Sequence, residues 1–313
     1  MNGQDTEAGV NRKDQTPRRI GRLGDLFLEK GLLTAEQIER ISTEQKQKKL
    51  RFGDAALSLG LLSQQEIDWA LGEQFGYSNH ELLEGQAHAS LSFLHQPFSK
   101  EAEEIRRLRS ELLLKLSHQN KLRLAVVSPG DGEGKSYMAA SLAIAFSQLG
   151  KKTLLIDGDL RSGDLHELFA LGTRDGLSSV LAGRAALEEV LVTLLPDLHV
   201  LPCGPRPPNP LELLRAPRIH ELMASCEQDF DVFVIDTHAA RQAADAQMLA
   251  HQTGFALLMA HQDHTLIADL RETREAMQAA GVEVLGTVFN SFGAQAMESV
   301  WPAWIRKWLK RSR

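Results

Sequence analysis

The spacing of hydrophobic and polar positions divides the chain into a helical front and an alternating back. Between about residues 20 and 77 the polar runs are punctuated by short apolar clusters and by Gly31 and Gly60, which stop helices. Arg22-Leu23-Gly24-Asp25 recurs 29 residues later as Arg51-Phe52-Gly53-Asp54. At the same offset Gly31 pairs with Gly60, Leu32-Leu33 with Leu61-Leu62, Ile38 with Ile67, and Gln45 with Gln74. Thr34 and Ser63 stand where N-caps belong, with Gln37 and Glu66 three residues on, the spacing of a capping box. Each copy therefore reads as a short helix, a glycine stop and a second helix, and two copies make a compact pseudo-symmetric domain.

Residues 78–100 are mixed and unperiodic, hold His80, His88 and His95, and read as a linker between domains. Glu101–Leu116 is strongly helical. From there short apolar runs alternate with amphipathic ones. Strands are predicted at Leu122–Val127, Lys152–Ile156, His199–Leu201, Val232–Ile235, Phe255–Met259 and Val284–Phe289, with helices between them, as at Met138–Leu149 and Ile267–Ala280. This alternation specifies an α/β domain with a mostly parallel sheet covered by helices on both faces. The expected organisation is a disordered polar leader (1–19), the helical repeat domain (20–77), the linker (78–100), the α/β domain (101–295) and a tail (296–313). In the tail Trp301, Trp304, Ile305, Trp308 and Leu309 fall at i, i+3, i+4, i+7 and i+8, accompanied by Arg306, Lys307, Lys310, Arg311 and Arg313. A basic, tryptophan-rich helix suits a membrane surface or an acidic partner; packing on its own domain is the alternative.

Composition narrows the class. A length of 313 residues leaves room for two domains, and 43% hydrophobic residues suit a globular chain. A net charge of −6 gives no reason to expect nucleic-acid binding. Cys203 and Cys226 cannot make a disulfide framework, so a reducing compartment is expected. No apolar stretch approaches the roughly 20 residues of a membrane helix, and Met1–Arg19 lacks the apolar core of a secretory signal. The expected location is the cytoplasm, at the inner face of its membrane if the tail engages lipid.

The densest chemistry lies in Ser128-Pro129-Gly130-Asp131-Gly132-Glu133-Gly134-Lys135-Ser136, between a predicted strand and a predicted helix. Such a loop aims backbone N–H groups at one spot, and the helix N-terminus adds partial positive charge. Lys135 brings a full charge to the outer phosphates, and Ser136 offers a hydroxyl to Mg2+. The pattern asks for glycine where Pro129 stands, but Gly130, Gly132 and Gly134 supply the flexible backbone. An ordinary glycine-rich turn is the alternative, disfavoured by the strand and helix in the required order. Two further strands close on carboxylates: Asp157-Gly158-Asp159-Leu160-Arg161 and Asp236-Thr237-His238. In a parallel sheet the residues just past the strand C-termini share one crevice, so the three motifs are expected to converge on a nucleoside triphosphate. A carboxylate there can hold Mg2+ or take a proton from an attacking hydroxyl; capping of the following helices is the alternative.

From about Phe98 onward the chain resembles the bacterial tyrosine kinases that regulate exopolysaccharide chain length, a P-loop NTPase family. The resemblance rests on the Ser128–Ser136 loop, on Asp157, Asp159 and Arg161 after an apolar strand, on Asp236 after another, and on the proline-rich segment from Gly204 to Leu214. It implies an ATP- and Mg2+-dependent protein tyrosine kinase in which Lys135, Asp157, Asp159, Arg161 and Asp236 are catalytic. Gly130 to Tyr137 and Asn290 would contact ATP, with Asn290 near adenine or in an ordinary strand-end turn. Ser136, Asp157 and Asp236 would hold Mg2+. The spacing of Glu103, Arg106 and Arg109 resembles the motif by which such kinases form rings, and a membrane-bound polysaccharide co-polymerase is the implied partner. Two departures stand out. The family usually has proline after its third Asp-Thr, where this chain has His238. Autophosphorylating relatives carry a tyrosine-rich tail, whereas this chain has two tyrosines, Tyr77 and Tyr137. An ATP-binding switch that scaffolds the export complex without phosphorylating it is therefore the rival reading. Partitioning and cell-division ATPases carry a second lysine where this chain has Gly130.

The repeat domain resembles the N-terminal domain of type II secretion and pilus ATPases, in which tandem Arg-Leu-Gly…Gly…Gln copies bind cyclic di-GMP. The implied ligand residues are Arg22, Leu23, Gly24, Gly31 and Gln45 in one copy, and Arg51, Phe52, Gly53, Gly60 and Gln74 in the other. A repeated half-site suits a ligand with two equivalent halves, and an arginine fork suits phosphate or guanine acceptors. A protein-docking adaptor is the alternative.

Overall fold

The computed structural model describes residues 23–75 and 91–291, which fall in two compact units. The leader, Arg22, the side chain of Gln74, residues 76–90 and the tryptophan-rich tail lie outside the described residues.

In the first unit the repeat takes the form of two helix pairs: α1 (Leu23–Glu29) with α2 (Ala35–Lys48), and α3 (Phe52–Ser58) with α4 (Gln64–Phe75). Gly31 and Gly60 sit at φ +70° and +63°, the left-handed region that glycine enters without a Cβ penalty, and end α1 and α3. Both capping boxes form. Thr34 Oγ1 accepts from the Gln37 N–H at 3.3 Å while the Thr34 N–H donates to Gln37 Oε1 at 2.8 Å. Ser63 and Glu66 repeat the exchange at 3.3 and 2.6 Å. The unit closes over Phe27, Leu33, Ile41, Leu62 and Ile67, and the Phe27 ring stacks on Phe52 with centroids 6.2 Å apart.

The second unit is a seven-stranded sheet in the order β3-β4-β2-β5-β1-β6-β7. The strands are β1 (Leu122–Val127), β2 (Thr153–Asp157), β3 (Val192–Leu195), β4 (Leu198–Leu201), β5 (Val232–Asp236), β6 (Phe255–His261) and β7 (Glu283–Asn290). Six of the seven are mutually parallel; β3 alone runs antiparallel, against β4. The longer helices are α5 (Lys100–Lys115), α6 (Lys135–Ser147), α7 (Ala216–Ser225), α8 (Asp245–Thr253) and α9 (Ile267–Ala279), with single helical turns between some of them. The central strands β1, β2 and β5 are apolar along nearly their whole length because both faces are covered. Helix α6 packs its buried small residues, Ala139, Ala140, Ala143 and Ala145, into the main core.

Two features differ from the expectation. The linker does not extend to residue 100: Leu91, Phe93 and Leu94 are buried in the same core as Ile105 and Leu112 of α5. Three apolar side chains in four residues are thereby withdrawn from water. Strand β3 was also unforeseen; its four residues join β4 through the tight Pro196-Asp197 turn. His261 closes β6, and His264 lies in the turn before α9, its N–H donating to the His261 carbonyl. No helix among the described residues is long and apolar enough to cross a membrane.

Candidate functional site

The register of the sheet brings the three motifs to one edge. Asp157 and Asp236 are the last residues of β2 and β5 and lie opposite each other in the ladder, and Val126 of β1 is also paired with Asp236. The loop after β1 and the loop after β5 are tied together by their backbones, with Ala240 N donating to Ser128 O and Arg241 N to Pro129 O. Gly158 N donates to Asp236 O and closes the second loop onto the third.

Within the first loop Gly132 and Gly134 take φ +70° and +92°, so the chain turns in a way a side chain would resist. Lys135 opens α6, is 6% exposed, and donates from Nζ to Gly130 O at 3.0 Å. Glu133 is buried; its carboxylate accepts from the Gly130 N–H at 3.0 Å and from Thr265 Oγ1 at 2.5 Å. Asp131 accepts from Gln242 Nε2 at 2.6 Å. Asn290, at the end of β7, donates to Glu133 O at 3.3 Å and lies against Gly134, where a Cβ would come within 2.6 Å of its amide nitrogen. Asn290 thus reaches the loop backbone itself. Tyr137 directs its hydroxyl away to Glu101 of α5, at 2.7 Å.

The acids divide sharply by environment. Asp157 and Asp236 are fully buried, and each leaves one oxygen, Oδ2, without a hydrogen-bond partner. Burial pushes the Asp236 carboxyl up to about 7, against the opposing pull of the Ser136 hydroxyl and the Lys135 charge. Asp157 is driven well above the usual carboxylate range by burial and by the charges of Asp236 and Asp159. The orphaned Asp236 oxygen, beside the Ser136 hydroxyl and the Lys135 charge, fits a divalent cation bound with phosphates, and Asp157 is its neighbour in the ladder. Asp159 behaves in the opposite way. Burial pushes it up, but hydrogen bonds from the Ser162 backbone and from His238 outweigh this and hold it below its ordinary value. Its oxygens accept from Arg161 N at 3.0 Å, Ser162 N at 2.9 Å and Ser162 Oγ at 2.8 Å, and His238 Nδ1 lies 3.1 Å from both.

Arg161 does not point to open solvent. It forks onto Asp245 of α8, Nε to Oδ2 at 2.8 Å and Nη2 to Oδ1 at 3.1 Å, and Asp245 is completely buried. Sequence reasoning missed Asp245, Glu133 as a brace and Thr265, because each acts through a partner remote in the chain. Of the ring-motif residues, Arg106 and Arg109 are buried within their own unit. Arg109 Nη1 donates to Ala145 O at 2.7 Å, and Arg106 Nη2 donates to Pro97 O at 2.5 Å. Glu103 is mostly exposed, 3.5 Å from Arg106. In the repeat unit Arg51 is exposed at the N-cap of α3, while Gln45 reaches the Leu50 carbonyl at 3.5 Å. Leu23 and Phe52 pack against the unit's core. A Cβ on Gly24 would touch Ile38 and Phe52, and one on Gly53 would touch Ile67, so helix packing by itself accounts for both glycines.

A model of the CobQ/CobB/MinD/ParA nucleotide binding domain matches residues 124–309, from inside β1 to beyond the described chain. The chain belongs to this nucleotide-binding family. Within the family it is similar to the tyrosine-protein kinase YwqD of Bacillus subtilis, 34% identical over 196 residues, which are 62% of this chain and 83% of that protein. It is 34% identical over 197 residues to the tyrosine-protein kinase wzc of Salmonella typhimurium, covering 62% of this chain and 27% of that one. The chain therefore spans about a quarter of the length of several longer relatives, EpsB of Ralstonia solanacearum among them, at 26%. Among solved structures it resembles the kinase domain of the Escherichia coli tyrosine kinase ETK, with a TM-score of 0.62 and 26% identity over 68% of this chain and 87% of that one. The chimerical protein CapA2B2 gives the same TM-score at 32% identity, over 66% and 91%. These matches place the chain in the tyrosine-kinase branch of the family.

Proposed function

We propose that this chain is an ATP- and Mg2+-dependent protein tyrosine kinase that regulates exopolysaccharide chain length. The observation that carries the reading is the pairing of Asp157 and Asp236, two buried acids with unsatisfied oxygens, at adjoining strand tips, with Lys135 and Ser136 beside Asp236. In this reading the loop N–H groups and Lys135 hold the triphosphate, and Asn290 lies on its nucleoside side. Ser136 and Asp236 would hold Mg2+, which supplies neutralising charge to the phosphates. Asp157, with an orphaned oxygen and a raised affinity for protons, takes the proton of the attacking tyrosine hydroxyl. Asp159 has its oxygens occupied and acts as the brace of its loop, with Arg161 anchoring the same loop to α8. The acceptor tyrosine lies on another protein, for which a membrane co-polymerase is the expected partner at the cytoplasmic face. Ring assembly through the Glu103 helix and gating by cyclic di-GMP at the repeat belong to the same proposal. The exposed Arg51 and the two-fold repeat support the gating.

The rival reading, an ATP-dependent switch without kinase activity, draws on one observation. The chain has two tyrosines, and the hydroxyl of the one near the site, Tyr137, is taken by Glu101. Transfer of γ-labelled phosphate to the partner's cytoplasmic segment, compared between the wild type and Lys135→Met, decides between them. Label on tyrosine that vanishes in the variant supports the kinase; free phosphate alone supports the switch. Calorimetry of the full chain with cyclic di-GMP tests the gating, with no heat at micromolar ligand ruling it out.

A further inference from the structure

We infer that Asp157, His166 and Cys203 form a second cation site, selective for a borderline-soft divalent ion of the zinc class. Chain topology assembles it. Strand β2 ends on Asp157; its parallel neighbour β4 ends on Leu201, paired with Ile156, and Cys203 follows two residues later. The loop after Asp157 turns back through Gly163 and starts the helical turn Leu165–Leu168, which carries His166. One carboxylate oxygen, one imidazole nitrogen and the Cys203 Sγ all lie within 4.8 Å of one another.

Two of these residues carry an unpaired buried atom. Asp157 Oδ2 and His166 Nδ1 are both buried without a hydrogen-bond partner, an arrangement that costs free energy unless something else binds them. The Cys203 thiol is 8% exposed, hydrogen-bonds to the Asp157 carboxylate and lies 4.0 Å from Gly163 O, so an ion would replace the thiol proton between the two. Gly163 leaves room for the carboxylate: a Cβ there would lie 2.6 Å from Asp157 Oδ2. Bonds of about 2.0–2.3 Å to a tetrahedral ion set the donors roughly 3.3–3.8 Å apart, so an inward shift of about 1 Å completes the shell. Magnesium takes an all-oxygen, octahedral set, whereas one sulfur, one imidazole and one carboxylate match zinc with a fourth position left for solvent. Binding draws the thiol proton off to solvent and leaves the thiolate as ligand. Occupancy also engages Asp157. If the nucleotide reading holds, the ion therefore takes this acid away from the triphosphate crevice; the binding itself does not depend on that reading.

The test is a titration of the chelator-stripped full chain with Co2+ as a spectroscopic stand-in. A single equivalent should bind with an intense thiolate-to-cobalt band, and Zn2+ should displace it. Cys203→Ser should lose the band. His166→Ala should weaken binding by at least the roughly 10–100-fold that outer-shell changes cost at metal sites. Cys226→Ser should keep both band and affinity. Lys135→Met should keep them too, so that a failed nucleotide site and a failed cation site give different results. A wild-type protein with no thiolate band, or a band that survives Cys203→Ser, overturns the site. Should the serine variant not fold, Cys203→Ala gives the same reading with an apolar replacement.

Discussion

His238 Nδ1 lies 3.1 Å from each oxygen of Asp159, joining the third motif to the second at the position where tyrosine kinases of this kind usually carry proline. The contact is buried, with His238 6% and Asp159 8% exposed. His238→Ala leaves Asp159 its bonds from Ser162 and should cost about 1–2 kcal/mol of folding stability near pH 7, read by urea unfolding. Asp159 is held below its ordinary value, so its contribution is present above the unfolded pKa of about 3.9 and fades as pH falls through the lower, folded value. The gap between wild type and variant should therefore narrow on acidification below about pH 4. A gap that stays constant would mean the histidine acts by packing alone.

Asp236 predicts the opposite dependence on pH. Its folded value is pushed up to about 7, chiefly by burial. An acid whose folded pKa is raised stabilises the fold fully below its unfolded value and loses that contribution as pH climbs to the folded one. Metal-free, nucleotide-free protein should thus lose stability between about pH 4 and pH 7, by on the order of 4 kcal/mol from this group. Asp236→Asn should flatten the slope in thermal scans, and Mg2+ with ATP should restore stability to the wild type and not to the variant.

The Arg161–Asp245 fork joins residues 84 positions apart, and its acid has no exposure. Arg161→Ala strands a buried charge; because the arginine side chain is about one-third exposed, we expect a loss of roughly 2–3 kcal/mol, below that of a fully buried pair. Asp245→Asn in the same background should recover part of it. A double-mutant cycle in urea measures the coupling, and additive losses would refute the pairing.

In the repeat unit the two equivalent glycines should respond differently. A Cβ on Gly24 meets its neighbours at 3.6 Å, an ordinary contact, whereas one on Gly53 comes within 3.1 Å of Ile67 Cγ2. Neither glycine has positive φ. Gly24→Ala should gain up to about 1 kcal/mol from helix propensity, while Gly53→Ala gains less or destabilises, as judged by thermal unfolding of the full chain.

How much could be read from the chain depends on the range of each interaction. The glycine loop, the strands that end on Asp157 and Asp236 and the tandem capping boxes are local, with every part of the signal within a dozen residues. Strand β3 escaped because four residues carry too little periodicity to separate strand from helix. Leu91, Phe93 and Leu94 escaped because the segment around them shows no periodicity and the core they join is assembled from residues distant in the chain. Asp245 reads from sequence as an ordinary acid in the first turn of a helix, and only the fold reveals it as the counter-charge of Arg161. Cys203 reads from sequence only as a free thiol and His166 draws no notice; the pairing of β2 with β4 brings the first towards Asp157, and the turn after β2 brings the second.

The backbone ties between the first and third loops, the fork from the second loop to α8 and the bond from Gly158 to Asp236 make a closed circuit of braces. A load placed on the first or second of these loops is passed to the third. Substitutions in different motifs should therefore share a single cooperative deficit, with pairs of them costing less than their separate effects combined.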